Sequence, residues 1–590
     1  MSQIPSEILK PILYTIFALL VFVSSLYVFY KRRVIFSDFK SILSKSSVIE
    51  VYNDLRSLKI ERWSLILILL LGAFLRLWNL ANWVPIFVDE GAWGIWGKAV
   101  YNEFALDDFR WLFITYRFAG KPALVAILYA LSFNIFGFNL FAIRVVSAIS
   151  GILTVYFVYK LGQLLFGSKV GIVSGLIFAI IPYDIYYSRL ALQDPVVSCF
   201  ITGAILCYSY GFKKDNIVSI LLGGVLFGLA VDAKQLGLKV GIVIILYLLL
   251  SKDIRSHLKK TPFWISSILA VIFHYPFLYF AALRDFSLYT AYLMKGGTTS
   301  SGSISITSTT ATTRAVTLVT ASQTSSGIFS RVLTIPTILA DQLAWFLNMF
   351  TILIFILFIV GVGLLFSRKK TIELLPVIWI LVELFTSWVP HNHATGYILS
   401  IVPPACITAG VSLTLLSEKV PEIISDKGIQ VSIPNNVISV AIISICVSYT
   451  LFFSCALIFT PREVQIHSDF KKITDSRWSG YGWQESIEYL QQENYSADTV
   501  IFPMPKWGFE FIAKDLYPRI YGSGYIADYF NDAELSRYLI EDNTCVFLIR
   551  RYTPEKYEDF ASLVEIFPEI TLVKIIEVYE IPEVYIFVKS

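Results

Sequence analysis

A set of ionisable residues stands among apolar neighbours: Asp89, Glu90, Lys121, Arg144, Arg189, Asp194, Asp232, Lys234, His391 and His393. Charge in such surroundings is costly, so these side chains are the first candidates for chemistry. The carboxylates can take a proton or hold hydroxyls. The guanidinium and ammonium groups can neutralise a phosphate. Asp89 and Glu90 are adjacent in "VPIFVDEGAWGIWGKAV", residues 84–100. Neighbours differ by about 100° around a helix and point to opposite faces of a strand, so these two carboxylates cannot share one task. A second working carboxylate has to arrive from elsewhere in the chain.

The elements that position these groups must lie in a bilayer. Of the 590 residues, 56% are hydrophobic and 16% charged, with a mean hydropathy of +0.66; an ordinary soluble domain is roughly one-quarter charged. Apolar runs of about twenty residues, enough to cross a hydrocarbon core, recur until about residue 460. Charge is then spread evenly through 461–590. The expected fold is an all-α polytopic membrane domain of about twelve transmembrane helices followed by a small α/β domain. The boundaries are 1–63 for an N-terminal transmembrane helix and cytoplasmic linker, 64–460 for the membrane domain, and 461–590 for the soluble domain. The run 11–30 is longer than a signal-peptide core and reads as a retained helix.

The basic clusters "YKRR" (30–33), "GFKKDN" (211–216), "SKDIRSHLKK" (251–260) and "SRKK" (367–370) belong on the cytoplasmic side. The same parity places the 83–139 and 283–335 loops, the turns 188–195 and 232–235, residues 391–393 and the C-terminal domain outside. Segment 122–137 is apolar, but counting it as a span would reverse every later loop, so it is expected to lie along the outer interface. The Ser/Thr-rich stretch 296–327 reads as a linker, a lid or a glycan-bearing loop. The net charge of +4 and the scattered Lys and Arg give no nucleic-acid stripe. Six cysteines form neither a disulfide framework nor a zinc spacing. The tail has helix-like "WQESIEYLQQ", "AELSRYLIED" and "EKYEDFASLV" and strand-like "DTVIFPM", "TCVFLIRR" and "VYIFVKS", with no phosphate loop, triad or metal spacing. Asn494-Tyr495-Ser496 fits a glycosylation triplet.

The ordered pieces "LRLWNL" (75–80), "VDEGAW" (88–93), "GKPAL" (120–124), "FGFNLFAIRVVSAISGILT" (136–154), "YYSRLALQDP" (186–195) and "GLAVDAKQLGL" (228–238) resemble the GT-C glycosyltransferases. The nearest branch is that of the protein O-mannosyltransferases, glycosyltransferase family 39, and the bacterial aminoarabinose transferases. The resemblance covers about 64–415. It implies an inverting membrane transferase that passes a sugar from a polyprenyl-phosphate donor to a protein, lipid or polysaccharide acceptor on the extracytoplasmic face. It also implies catalytic roles for Asp89 as base, Glu90 as organiser of the loop or acceptor, and Asp194 as the second acidic position. Arg144, Lys121, Arg189 and Lys234 are expected at the donor phosphate; Lys121 stands in "KPA" where many relatives have two prolines. Trp93, Gln235, His393 and Tyr397 are expected to meet substrate. No resident metal or cofactor is assigned, a divalent ion at His391 and His393 being the alternative. Displacing a lipid phosphate from an anomeric carbon needs a base at the acceptor hydroxyl and fixed positive charge at the leaving oxygen. Burial among Trp83, Phe87, Trp93 and Trp96 would bring Asp89 towards a useful base strength.

Each residue also has a plainer reading. Asp89 could cap a helix beginning at Glu90. Arg144 could snorkel to the interface or hold a helix end. Arg189 with Asp194, or Asp232 with Lys234, could be local ion pairs. Trp93 and Trp96 could be packing or interface anchors. The competing functional classes are a lipid-linked-sugar transporter or flippase, whose usual inverted repeats and interrupted midplane helices the sequence does not display, and a catalytically silent lipid-sugar binding protein; acidic residues at mid-membrane on facing helices would favour transport, a cavity at the outer interface transfer.

Overall fold

The computed structural model describes residues 59–104, 123–283, 347, 350–368, 370–388, 395–426, 435–461, 480–504, 506–521, 544–550, 570–578 and 581–589. Through residue 461 every described element is helical. The first are α1 (Lys59–Leu77), α2 (Val88–Phe104) and α3 (Leu124–Phe136), then α4 (Leu140–Phe166), α5 (Ser168–Ile180), α6 (Pro182–Ser188) and α7 (Gln193–Lys214). They continue as α8 (Ile217–Ala233), α9 (Lys239–Leu250), α10 (Thr261–Leu283), α11 (Ile352–Ser367), α12 (Leu375–Trp388), α13 (Val402–Asp426) and α14 (Asn435–Phe459).

Local sequence explains the helix starts. Asn139 precedes α4 and its side chain accepts from the Ala142 amide; Asn216 does the same for Ser219 at α8. Both satisfy an N–H that a helix end leaves open. Between helices, small residues permit backbone contact, the usual device where water drives nothing together. A Cβ on Gly228 of α8 would stand 3.1 Å from the Ala270 carbonyl carbon of α10 and closer still to its oxygen.

Four described helices are long and apolar enough to cross a membrane, or five if α5 and α6 count as one bent span. The twelve expected spans are therefore not matched one for one. Several of the others, such as α8 and α11, are apolar helices of 10–17 residues, and 11–30 lies outside the described residues. The α5–α6 bend is 56° and falls at Pro182, which has no N–H to give the Phe178 carbonyl one turn back. The freed carbonyls are met from other helices. Phe178 and Ala179 accept from Arg76, and Ile180 accepts from the Ser454 hydroxyl.

The tail has α15 (Trp483–Gln492), β1 (Val500–Met504), α16 (Lys506–Ala513), β2 (Cys545–Arg550), β3 (Ile570–Val578) and β4 (Ile581–Lys589). The strands form one sheet in the order β1-β2-β4-β3, with β1 and β2 parallel and the other pairs antiparallel. The expected helix at 483–492 and the strands near 498–504, 544–551 and 584–590 are in place. "AELSRYLIED" and "EKYEDFASLV" lie outside the described residues.

Candidate active site

Helices α4 and α7 run side by side, and their first turns define one end of the bundle. Arg144 is in the second turn of α4 and Asp194 in the first turn of α7, while the Ser147 hydroxyl of α4 donates to the Leu192 carbonyl just before α7. At the other end of α7 lie the basic clusters. Lys260 and His257 approach Asp215 at 2.6 and 3.1 Å, and Ser251 bonds to the Thr371 carbonyl. Three of the four basic clusters thus gather opposite the candidate site; the fourth, 30–33, lies outside the described residues.

Asp89 and Glu90 separate as their spacing requires. Helix α2 begins at Val88, two residues earlier than expected, and Glu90 reaches back to accept the Phe87 amide at 2.9 Å. Glu90 therefore closes the helix start, in the manner of a capping-box glutamate, and the cap expected of Asp89 is corrected. Glu90 is fully buried. Its two oxygens take Arg144 Nε and one terminal nitrogen, each at 2.8 Å, and Oε1 also accepts the Ala191 amide at 2.7 Å. One carboxylate ties the start of α2, helix α4 and the segment leading to Asp194 into a unit. Asp89 is exposed. Trp83 and Trp93 are buried, and Phe87 and Trp96 half-buried, without enclosing it. The expected burial of Asp89 among these rings is corrected.

Arg144 is fully buried and spent within the protein: besides Glu90, its terminal nitrogens donate to the carbonyls of Leu80, Ala81 and Pro85. A guanidinium has five N–H groups, and these five contacts use them. In this arrangement Arg144 braces the 80–90 segment and has no donor left for a phosphate. Arg189 likewise donates to the Leu75 and Trp78 carbonyls, and its guanidinium carbon lies 4.7 Å from the centre of the Trp83 ring. Its Nε has no hydrogen-bond partner. The suspected Arg189–Asp194 and Asp232–Lys234 pairs are both replaced: Lys234 donates to Asp194 at 2.7 Å, with both side chains nearly buried, and Asp232 faces His274 at 3.9 Å. Trp93 packs edge-on against Trp96 at 4.8 Å in the main core. Gln235 is buried in the short 3-10 turn that follows Lys234. Tyr397 belongs to a 3-10 helix, Thr395–Ile401. Lys121, His391 and His393 lie outside the described residues. Among the described residues no group of three or more His, Cys, Asp or Glu is placed to hold a metal ion.

Several buried groups escaped the sequence reading. Arg76 of α1 pairs with Asp184 of α6 at 2.7 Å, with Ser188 donating to the same oxygen at 2.9 Å. Lys239 of α9 pairs with Glu383 of α12, which also accepts from Trp379 and from Ser400 of the Thr395–Ile401 turn. The Tyr129 hydroxyl of α3, fully buried, lies beside Ser147 and within electrostatic reach of both Glu90 and Asp194. The first two pairs carry the signal that exposed the others, a lone charge in an apolar run: "AFLRLW", "IIPYDIYY", "ILVELF". Nothing in the sequence singles out Tyr129 among thirty-three tyrosines.

The architecture has close counterparts. ArnT from Cupriavidus metallidurans, in the apo state and bound to undecaprenyl phosphate, matches with a TM-score of 0.55 at 13% identity, over 89% of this chain and 98% of its own. The apo oligosaccharyltransferase of Archaeoglobus fulgidus matches with a TM-score of 0.50 at 12% identity, over 85% of this chain and 71% of its own. The chain thus has the fold of the GT-C glycosyltransferases. No curated protein matches it in sequence. Residues 120–280 match the family model described as dolichyl-phosphate-mannose-protein mannosyltransferase, so the segment bearing Arg144, Arg189, Asp194 and Lys234 is glycosyltransferase-like in sequence as well as in fold.

Proposed function

We propose that this protein is a membrane glycosyltransferase that moves a sugar from a polyprenyl-phosphate donor to an acceptor hydroxyl, at the bundle end built by Glu90, Arg144 and Asp194. The observation that carries the reading is the Glu90 junction: it locks the two acidic segments together and leaves the neighbouring Asp89 carboxylate exposed. Basic clusters gathered at the opposite end support an extracytoplasmic position for this one. The family match at 120–280 and the fold point to the same donor class.

In this mechanism the Asp89 carboxylate takes the proton of the acceptor hydroxyl as its oxygen attacks the anomeric carbon. The bond from that carbon to the phosphate oxygen breaks, and polyprenyl phosphate leaves from the opposite face, with inversion. Positive charge near the leaving oxygen is assigned to Lys121, Arg189 and Lys234, the last by exchanging its contact with Asp194 for the phosphate. Arg144 serves as the brace described above. Trp93, Gln235, His393 and Tyr397 remain assigned to the substrate surface. The acceptor is a protein, lipid or polysaccharide hydroxyl. The test is transfer from a synthetic polyprenyl-phosphate sugar by purified wild type and Asp89→Asn. Loss of about a hundredfold or more in the variant is expected, within the usual range for removing a general base; undiminished transfer would remove Asp89 as the base.

A further inference from the structure

The C-terminal domain grips the polypeptide on both sides of Asp89. Ile86, three residues before it, is only 3% exposed and belongs to the core of the C-terminal domain, packed with Trp483, Ile487, Phe509, Val584 and Ile586. The Gly480 backbone lies against that of Ile86 so closely that a Cβ there would stand 2.8 Å from the Ile86 nitrogen. Beyond Asp89, Gly94 of α2 presses its backbone on the Phe511 ring of α16: an added Cβ would meet ring carbon Cδ2 at 2.5 Å, so that the ring or the helix would have to shift. One turn further, Lys98 pairs with Asp515 at 2.7 Å. Gly94 and Lys98 are four residues apart and share a helix face. The first turn of α2 is thus held from the membrane side by Glu90 and from the other side by a peg and a face contact.

We propose that the C-terminal domain is a positioning component of the transferase site, fixing the Asp89 carboxylate through Ile86 and the Gly94–Phe511 contact. This rests on the reading of Asp89 as the base. Ile86 and Phe511 are positioning residues: neither reaches a reacting atom, and both act through the placement of α2. A base held by two domains gains orientation that a loop alone would not give it, and misplacement by about 1 Å costs on the order of a hundredfold in rate.

The experiment compares full-length wild type, Gly94→Ala, Phe511→Ala, Gly94→Ala/Phe511→Ala, Ile86→Ala and Ile86→Val in steady-state transfer from a polyprenyl-phosphate sugar. Amide hydrogen exchange over residues 87–92 is measured on the same samples. Gly94→Ala is expected to lower kcat about tenfold with the donor KM within about twofold. Phe511→Ala should also lower kcat severalfold, the double variant, which lacks the ring that the new methyl strikes, should lose no more than Phe511→Ala alone, and Ile86→Val should recover most of the loss seen in Ile86→Ala. A plain loss of fold would instead lower the amount of active protein, with the two losses adding in the double variant, and would overturn the proposal. Unchanged kcat in Gly94→Ala and Ile86→Ala overturns the proposal. If wild type itself transfers nothing, the transferase reading fails and exchange decides the clamp. Faster exchange at 87–92 in both variants supports it, and unchanged exchange overturns it.

Discussion

Replacing Glu90 with alanine removes one carboxylate and strands four donors. Two belong to Arg144, which would keep a buried charge with only carbonyls around it; the others are the Phe87 and Ala191 amides. Breaking a buried ion pair by deleting one partner costs about 3–5 kcal/mol, and each buried N–H left open costs about 1–3 kcal/mol. Together these reach about 5–11 kcal/mol, comparable with the whole stability of a typical domain, about 5–15 kcal/mol. Glu90→Ala is therefore expected to yield little monodisperse protein. Glu90→Gln, which keeps one acceptor oxygen, should fold with a clearly lowered thermal midpoint. Arg144→Lys offers three N–H groups in place of five and should behave like Glu90→Gln. The assay is yield by size exclusion in detergent, with the thermal midpoint from intrinsic tryptophan fluorescence. Wild-type yield and midpoint in Glu90→Ala would refute the reasoning. Arg144→Lys with an unchanged midpoint but a raised donor KM would return Arg144 to the phosphate.

Two further outcomes follow from single positions. A Cβ on Gly151 would stand 2.7 Å from Arg76 Nε and strike the Ser188 hydroxyl; Gly151→Ala should lower the thermal midpoint by an overpacking cost of about 1–3 kcal/mol, whereas Gly363→Ala, which meets nothing within 4 Å, should not lower it. The carboxyl of Asp215 is held below the usual range first by the hydrogen bond from Lys260, against an opposing effect of burial, with His257 adding to the lowering. A depressed folded value means that its contribution is present above the unfolded value of about 3.9 and lost as pH falls through the folded one. The midpoint difference between wild type and Asp215→Asn should thus be constant near neutrality and vanish in acid below that value. Asparagine tolerates the left-handed backbone at this residue, φ 53°, so a difference persisting unchanged at low pH would assign it to something other than the charge.

The membrane bundle and the tail sheet were legible because both rest on local periodicity. Apolar runs mark α4, α7 and α14, and strand-like runs mark β1, β2 and β4. The positions of charged residues were legible too, since a charge in an apolar run is visible without a fold. Partnership was not. Arg76 and Asp184 are 108 residues apart, and Glu90 and Arg144 54, and local spacing carries no information across such distances. The nearer pairings suggested for Arg189 with Asp194 and Asp232 with Lys234 were natural for the same reason, and helix packing chose Lys234 for Asp194 instead. The cap at α2 shows a subtler limit. Either carboxylate could have closed the helix, and a buried guanidinium from α4 pulled Glu90 inward and left Asp89 outside.

The bend at Pro182 bears on how the chain is assembled. A span interrupted by proline carries bare carbonyls into lipid, where no water can reach them. Here Arg76 supplies the missing donors and finds its counter-charge in Asp184, one turn beyond the break. Neither partner is comfortable in lipid alone: the arginine lacks a counter-ion, and the bent helix pair lacks its donors. Synthesis runs from the N-terminus, so α1 and its arginine are made before the α5–α6 pair that supplies the counter-charge. Biogenesis of this protein is therefore expected to be stepwise: the first described helix supplies donors to a later one, and a chain truncated before residue 184 would leave Arg76 without its counter-charge for the quality-control machinery to find.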